Sequence, residues 1–103
     1  MRGEFKRASA VGARMRSPHF IVYLANNQLG RRRLGITVSR KVGNAVVRNR
    51  VKRIVREYFR SARERLPDSR DYVVIARRGA GPMSLSEVGQ ELDKAIIAGR
   101  GKR

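Results

Sequence analysis

Arg48, Asn49, Arg50, Lys52, Arg53 and Arg56 put five cations and an amide into nine residues. Side chains of this kind break no bonds themselves. They bind anions, and the planar fork of arginine suits phosphates and base edges better than a point ammonium does. The apolar residues of the same stretch, Val47, Val51, Ile54, Val55, Tyr58, Ala62 and Leu66, step by three or four. That period predicts a helix from Asn44, a good N-cap, to about Leu66 with one buried stripe. Burying the stripe turns Asn49, Lys52, Arg53, Arg56, Arg60 and Arg63 outward and leaves Arg48 and Arg50 on the first turn and a half. Like charges at these spacings repel by about 0.2–0.5 kcal/mol per pair, and only Glu57 and Glu64 lie close enough to offset them. A merely solvated face mixes both signs. A face of one sign points instead to phosphate neutralisation with counterion release.

The rest of the chain shares the bias unevenly. Its 25 Lys and Arg against 8 Asp and Glu give a net charge of +17, and self-repulsion of that size calls for a polyanionic partner. Residues 1–60 carry +14 of it. Arg31-Arg32-Arg33 opens a candidate strand and Ser39-Arg40-Lys41 closes it. Either triplet could protect a sheet edge or touch RNA. Phe5 and Tyr23 are aromatics outside the main stripe, and each has two readings, core residue or stacking platform for unpaired bases.

Other chemistries are poorly supported. The chain has no cysteine, which removes disulfides, thiolate zinc sites and a cysteine nucleophile. His19 lacks a carboxylate at a recognisable spacing, Asp68 and Asp71 read as flanking a turn, and no other carboxylate pair stands out. Gly79-Ala80-Gly81-Pro82 does not open a helix with a Lys-Ser/Thr pair, which argues against a nucleotide or other small-molecule substrate. We therefore assign no catalytic residue and no metal ligand. No run approaches the roughly 18 apolar residues of a membrane span, and Met1 to Phe5 lack the apolar core of a secretory signal. The expectation is a cytoplasmic protein.

One domain, residues 1–103, must position these groups, with its core over 3–98 and a flexible tail at 99–103. Phe5, Ala8 and Val11 predict a short helix over 3–11 that stops at Gly12. His19 to Ala25 reads as a strand and Asn26 to Gly30 as a turn. Arg33 to Ser39 alternates as a second strand. Pro67-Asp68 ends the long helix, and Asp71 to Ala76 reads as a central strand buried on both faces. Ser84 to Glu87 fits a capping box ahead of a last helix striped by Leu85, Val88, Leu92, Ala95 and Ile96. The order helix, strand, strand, helix, strand, helix describes an α+β fold, a small two-layer sandwich.

The run from Leu34 to Arg53, with Arg48-Asn49-Arg50 at its heart, resembles the bacterial ribonuclease P protein subunits. Phe20-Ile21-Val22-Tyr23 and Asp71 to Arg77 resemble the family's first and later strands, so the likeness spans residues 3–98. It implies a ribosomal-protein-domain-like fold with a left-handed crossover around the long basic helix, where the general rule favours the right hand. It also implies an accessory subunit of an endoribonuclease. By the resemblance, the catalytic RNA subunit would use Mg²⁺ to remove the 5′ leader of precursor tRNA while the protein binds both RNAs; no cofactor is assigned to the protein. By position, the resemblance assigns Arg48, Asn49, Arg50, Lys52, Arg53, Arg56 and Arg60 to the RNA subunit. It assigns Phe5, Tyr23, Ser39, Arg40, Lys41, Arg77 and Arg78 to a leader-binding cleft. Ser9 stands where the family often has a second aromatic. Other readings of the same charge are a structural ribosomal protein and a DNA-binding module, though the latter lacks an evident helix-turn-helix partner.

Overall fold

The computed structural model describes residues 13–66 and 69–98. The helix expected over 3–11 with its Phe5, the stop at Pro67-Asp68, and the tail at 99–103 lie outside the described residues. In chain order the elements are β1 (Ala13–Arg16), β2 (Phe20–Asn26), β3 (Arg33–Val38), α1 (Ala45–Ser61), β4 (Arg70–Ala76) and α2 (Leu85–Asp93). Lys94–Ala98 then extends α2 as one π-helical turn. The strands form one sheet in the order β1-β2-β4-β3, antiparallel except for the parallel β3/β4 pair.

Period-2 alternation puts Phe20, Val22 and Leu24 opposite Ala76, Val74 and Tyr72, with Leu34, Ile36 and Val38 beside them on β3. Against this face α1 buries Val51, Ile54, Val55, Tyr58 and Phe59, and α2 buries Val88 and Leu92. Phe59 meets the Tyr72 ring edge-on with centroids 5.1 Å apart. Asn44 caps α1 as expected, its Oδ1 accepting the Val47 N–H at 3.0 Å. Ser84 and Glu87 form the expected capping box on α2.

Four differences from the sequence reading stand out. A fourth strand, β1, is added at the sheet edge; Met15 is its one buried residue, between two arginines, so its alternation passes for a charged loop. β2 and β3 are joined by the Asn26–Gly30 turn but are not neighbours, because β4 inserts between them. β4 is central but not buried on both faces, since Val73 and Ile75 on the second face are only half-buried. Finally, α1 ends at Ser61 rather than near Leu66. The Ser61 hydroxyl donates to the Glu57 carbonyl at 2.6 Å, and the chain tightens so that the Arg65 and Leu66 N–H groups both donate to the Ala62 carbonyl. Leu66 stays buried through that turn, so the apolar stripe outlasts the helix.

The β2–β3 connection is held by polar contacts. Asn26 and Asn27 side chains accept from the Gln28 and Leu29 backbones, and the Asn27 amide donates to Asp71 Oδ1 at 2.9 Å. Asp71 is 5 % exposed and takes both arms of the Arg33 fork at 2.7 Å each. Arg32 donates to the Leu66 carbonyl at 3.2 Å. Two of the three arginines in the Arg31–Arg33 triplet are thus engaged within the fold.

The Arg33 hydrogen bonds, opposed by burial and helped by Asn27, hold the Asp71 carboxyl below its ordinary value. A depressed carboxylate adds stability above its unfolded pKa and loses it as pH falls through the folded one. Asp71→Asn should therefore lower stability at neutral pH by about 2–4 kcal/mol. The gap should narrow as pH drops below 3.8, the unperturbed value. Urea titrations of both proteins from neutral to acid pH check this, and a gap independent of pH would assign Asp71 a packing role only.

Candidate nucleic-acid interface

α1 divides its side chains as its stripe dictates. Asn49, Arg53, Arg56 and Arg60 are exposed and Lys52 is half-buried. Arg60 reaches back to Glu57 at 2.5 Å, while Arg53 and Arg56 carry no such partner among the described residues. Arg48 and Arg50 are half-buried rather than projecting freely. Arg50 donates to the Gly81 carbonyl at 2.8 Å, and Arg48 Nε is buried with no hydrogen-bond partner among the described residues.

The start of α1 is braced by close approach. A Cβ on Gly81 would sit 2.9 Å from Val47 Cγ1 and 3.2 Å from the Val42 carbonyl oxygen, and one on Gly43 would sit 2.7 Å from Val47 Cγ1. The Gly79–Pro82 loop is therefore a brace, touching the first turns of α1 through backbone.

The other predicted residues collect on the second face of the sheet and at one of its ends. Tyr23 pairs with Val73 of β4 and Arg14 of β1; Ile21 pairs with Ile75 and Arg16. β1, β3 and β4 all run in one direction. Arg16, Ser39, Arg40, Lys41, Arg77 and Arg78 consequently lie at the end of the sheet where α1 begins, and all are exposed. Arg77 is fixed there: its N–H donates to the His19 carbonyl at 2.8 Å and its Nη1 to the Ser17 carbonyl at 3.1 Å. Phe5 falls outside the described residues.

Glu91 of α2 secures this corner. Its carboxylate accepts the Ser17 hydroxyl at 2.5 Å, the His19 N–H at 2.6 Å and His19 Nδ1 at 2.8 Å. Burial pushes its pKa up, but the bonds from His19 and Ser17 prevail and hold it below the ordinary carboxylate range. Among the described residues no group of three or more His, Cys, Asp or Glu could hold a metal ion. No described helix is long and apolar enough to cross a membrane.

The model of the family described as ribonuclease P matches residues 1–98. The chain belongs to the ribonuclease P protein family. It is 42% identical over 93 residues to the ribonuclease P protein component of Desulforapulum autotrophicum, covering 90% of this chain and 80% of that one. The Bacillus pumilus component is 38% identical over 90 residues, covering 86% and 76%. The solved RNase P protein of Staphylococcus aureus superposes with a TM-score of 0.86 at 34% identity, covering 97% of this chain and 92% of that one. That of Thermotoga maritima gives 0.85 at 32%, covering 94% and 92%.

Several features of the chain escape the sequence reading. His19 has a carboxylate partner after all, 72 positions away in Glu91. The Arg50–Gly81 bond spans 31 positions, and Arg14 and Arg16 belong to the overlooked strand. The alternation Arg14-Met15-Arg16 is the one local signal that could have exposed the last pair.

The brace makes a prediction. Gly81→Ala should destabilise the protein by about 1–3 kcal/mol through overpacking, and Val47→Ala in the same chain should recover part of the stability. Thermal melts of the two single variants and the double variant test this; strictly additive effects would show that Gly81 and Val47 do not press on each other.

Proposed function

We propose that this chain docks on the catalytic RNA subunit of ribonuclease P through α1. The second face and end of its sheet then hold the 5′ leader of precursor tRNA. Leader removal in tRNA maturation is performed by the RNA subunit with Mg²⁺, and the protein assists as the accessory subunit of that endoribonuclease. The whole chain acts as one RNA-binding domain in the cytoplasm. Family membership further supports a left-handed crossover for the β3–α1–β4 unit.

The observation that carries this reading is the cationic outer face of α1, on which Glu57 is the one acid and is taken up by Arg60. Asn49, Arg53 and Arg56 are exposed there, away from the buried Val51, Ile54, Val55, Tyr58 and Phe59. Arg48 adds to it. It stands half-buried on the first turn beside that face and sets a further guanidinium next to the exposed cations. The leader assignment rests on Tyr23, half-buried on the second sheet face across from Val73, the face at whose end the exposed cations stand.

The deciding experiment is cleavage of precursor tRNA by the cognate RNA subunit at low Mg²⁺, with and without the protein. Stimulation is expected; its absence, with co-sedimentation on ribosomal subunits instead, would move the chain to a ribosomal role. Arg53→Ala with Arg56→Ala should weaken assembly and reduce the salt slope by about 0.7–0.9 for each phosphate no longer neutralised. These exposed residues report on RNA binding more cleanly than Arg50, whose removal also frees the Gly81 brace. Tyr23→Ala should spare assembly and weaken leader-bearing substrate by about 1–3 kcal/mol, with no effect on mature tRNA. Binding titrations of both RNAs to the reconstituted holoenzyme measure the difference.

A further inference from the structure

We infer that Arg14 and Arg16 of β1 form a phosphate rail that carries the backbone of the leader along the sheet edge. This rests on the reading of the second sheet face as the leader surface. It adds to that surface a strand to which neither the family likeness nor the sequence reading assigns a role.

Alternation on β1 turns Met15 into the core, 8 % exposed, and sends Arg14 and Arg16 together to the opposite face. Both are exposed, and neither pairs with a carboxylate among the described residues. Their register is specific. Arg14 stands across from Tyr23 and Arg16 from Ile21, so each cation ends a cross-strand row, Arg14–Tyr23–Val73 and Arg16–Ile21–Ile75. The Arg14 guanidinium carbon lies 6.0 Å from the Tyr23 ring centroid, the outer limit of a cation–π contact. A contact this long is readily exchanged. A base stacking on Tyr23 takes that ring face, and the Arg14 fork then reaches the phosphate of the same nucleotide.

Two residues along a strand advance about 6.8 Å, a span comparable with one nucleotide of an extended single strand. Arg14 and Arg16 thus offer consecutive phosphates one cation each, while Tyr23 and Ile21 offer the bases a flat apolar surface. Beyond Arg16 the row of cations continues at the sheet end with Arg77. The acid on this face, Asp71, is neutralised by Arg33 and does not oppose a polyanion. Edge protection alone would need charge on β1, but not the Arg14 fork over the Tyr23 ring.

The test uses the reconstituted holoenzyme with precursor tRNAs carrying a short or a long leader, and with mature tRNA. Arg14→Gln with Arg16→Gln is expected to weaken binding of the long-leader substrate roughly three- to tenfold and to lower its salt slope by about 1.4. Mature tRNA and assembly with the RNA subunit should be unaffected. Arg14→Lys with Arg16→Lys should restore most of the affinity, because the rail requires charge at that register. Undiminished leader binding by the double Gln variant, alongside weakened binding in Tyr23→Ala, would overturn the rail and leave the leader surface standing. An equal effect on mature tRNA would overturn it too, by moving the two arginines to another RNA surface. An unmodified holoenzyme indifferent to leader length would instead remove the leader reading on which the rail rests.

Discussion

Burial of the α1 stripe against one face of the sheet is the constraint on which the rest depends. Each fully buried large apolar side chain contributes about 1.5–3 kcal/mol, and α1 buries Val51, Ile54, Val55, Tyr58 and Phe59. Repulsion among its cations is an order smaller per pair, about 0.2–0.5 kcal/mol. The stripe wins, and the rotation of the helix about its axis is then settled. Asn49, Arg53 and Arg56 have nowhere to go but outward. A hydrophobic preference thereby sets the orientation of a charged surface.

Orientation alone would leave the start of the helix loose, where Arg48 and Arg50 stand. The segment after β4 supplies the missing rigidity at both ends of α1. At the first turn, Gly81 presses its backbone on Val47 and accepts from Arg50. At the last turn, the Tyr58 hydroxyl donates to Asp93 of α2 at 2.7 Å, and Arg65 reaches the same carboxylate at 3.0 Å. Burial first, and the neighbouring Asp93 second, push the Tyr58 pKa far up, so the phenol remains a donor. A cationic face held at both ends gives up little freedom on meeting a rigid RNA, which is how preorganisation improves affinity.

Elements with a clean period were legible from the sequence: β2 and β3 by alternation, β4 by its apolar run, α1 by steps of three and four, and both helix caps by local chemistry. What remained hidden was nearly all long-range or too short to have a period. The residues Ala13–Arg16 cannot show a period of two convincingly with one large apolar residue. The Asn26–Gly30 turn correctly marked a reversal, yet it gave no hint that β4 would insert between the strands it joins. Arg31 to Arg33 left two roles open. Only the fold, by bringing Asp71 and the Leu66 carbonyl alongside, turned Arg33 and Arg32 into internal clamps. On the interface, residue types were readable and freedom was not: Arg50 looks like Arg53 in sequence, but one is tied to a carbonyl and the other is not.

The placement of acids completes the electrostatic logic. A chain of net charge +17 could reduce its self-repulsion by spreading carboxylates among its arginines. It does otherwise. Asp71 clamps Arg33, Asp93 holds Tyr58 and Arg65, Glu91 gathers Ser17 and His19, and Glu87 closes the capping box of α2. Glu57 engages Arg60 at the far end of α1. Of the six acids among the described residues only Glu64 is left without such a task, and it lies beyond the end of α1. Asp71, Asp93 and Glu91 bind one segment to another, while Glu87 and Glu57 serve their own helices; around the outward Arg48 to Arg56 and the sheet end no described acid forms an ion pair with these cations. Intramolecular attraction is thus concentrated at the joints of the fold, and the potential over Arg48 to Arg56 and Ser39 to Lys41 is left uncancelled. Because Ser39 to Lys41 lie at the end of the sheet where α1 begins, next to Arg48 and Arg50 on its first turns, the two fields add there, and a polyanion approaching either group is drawn to the junction between them.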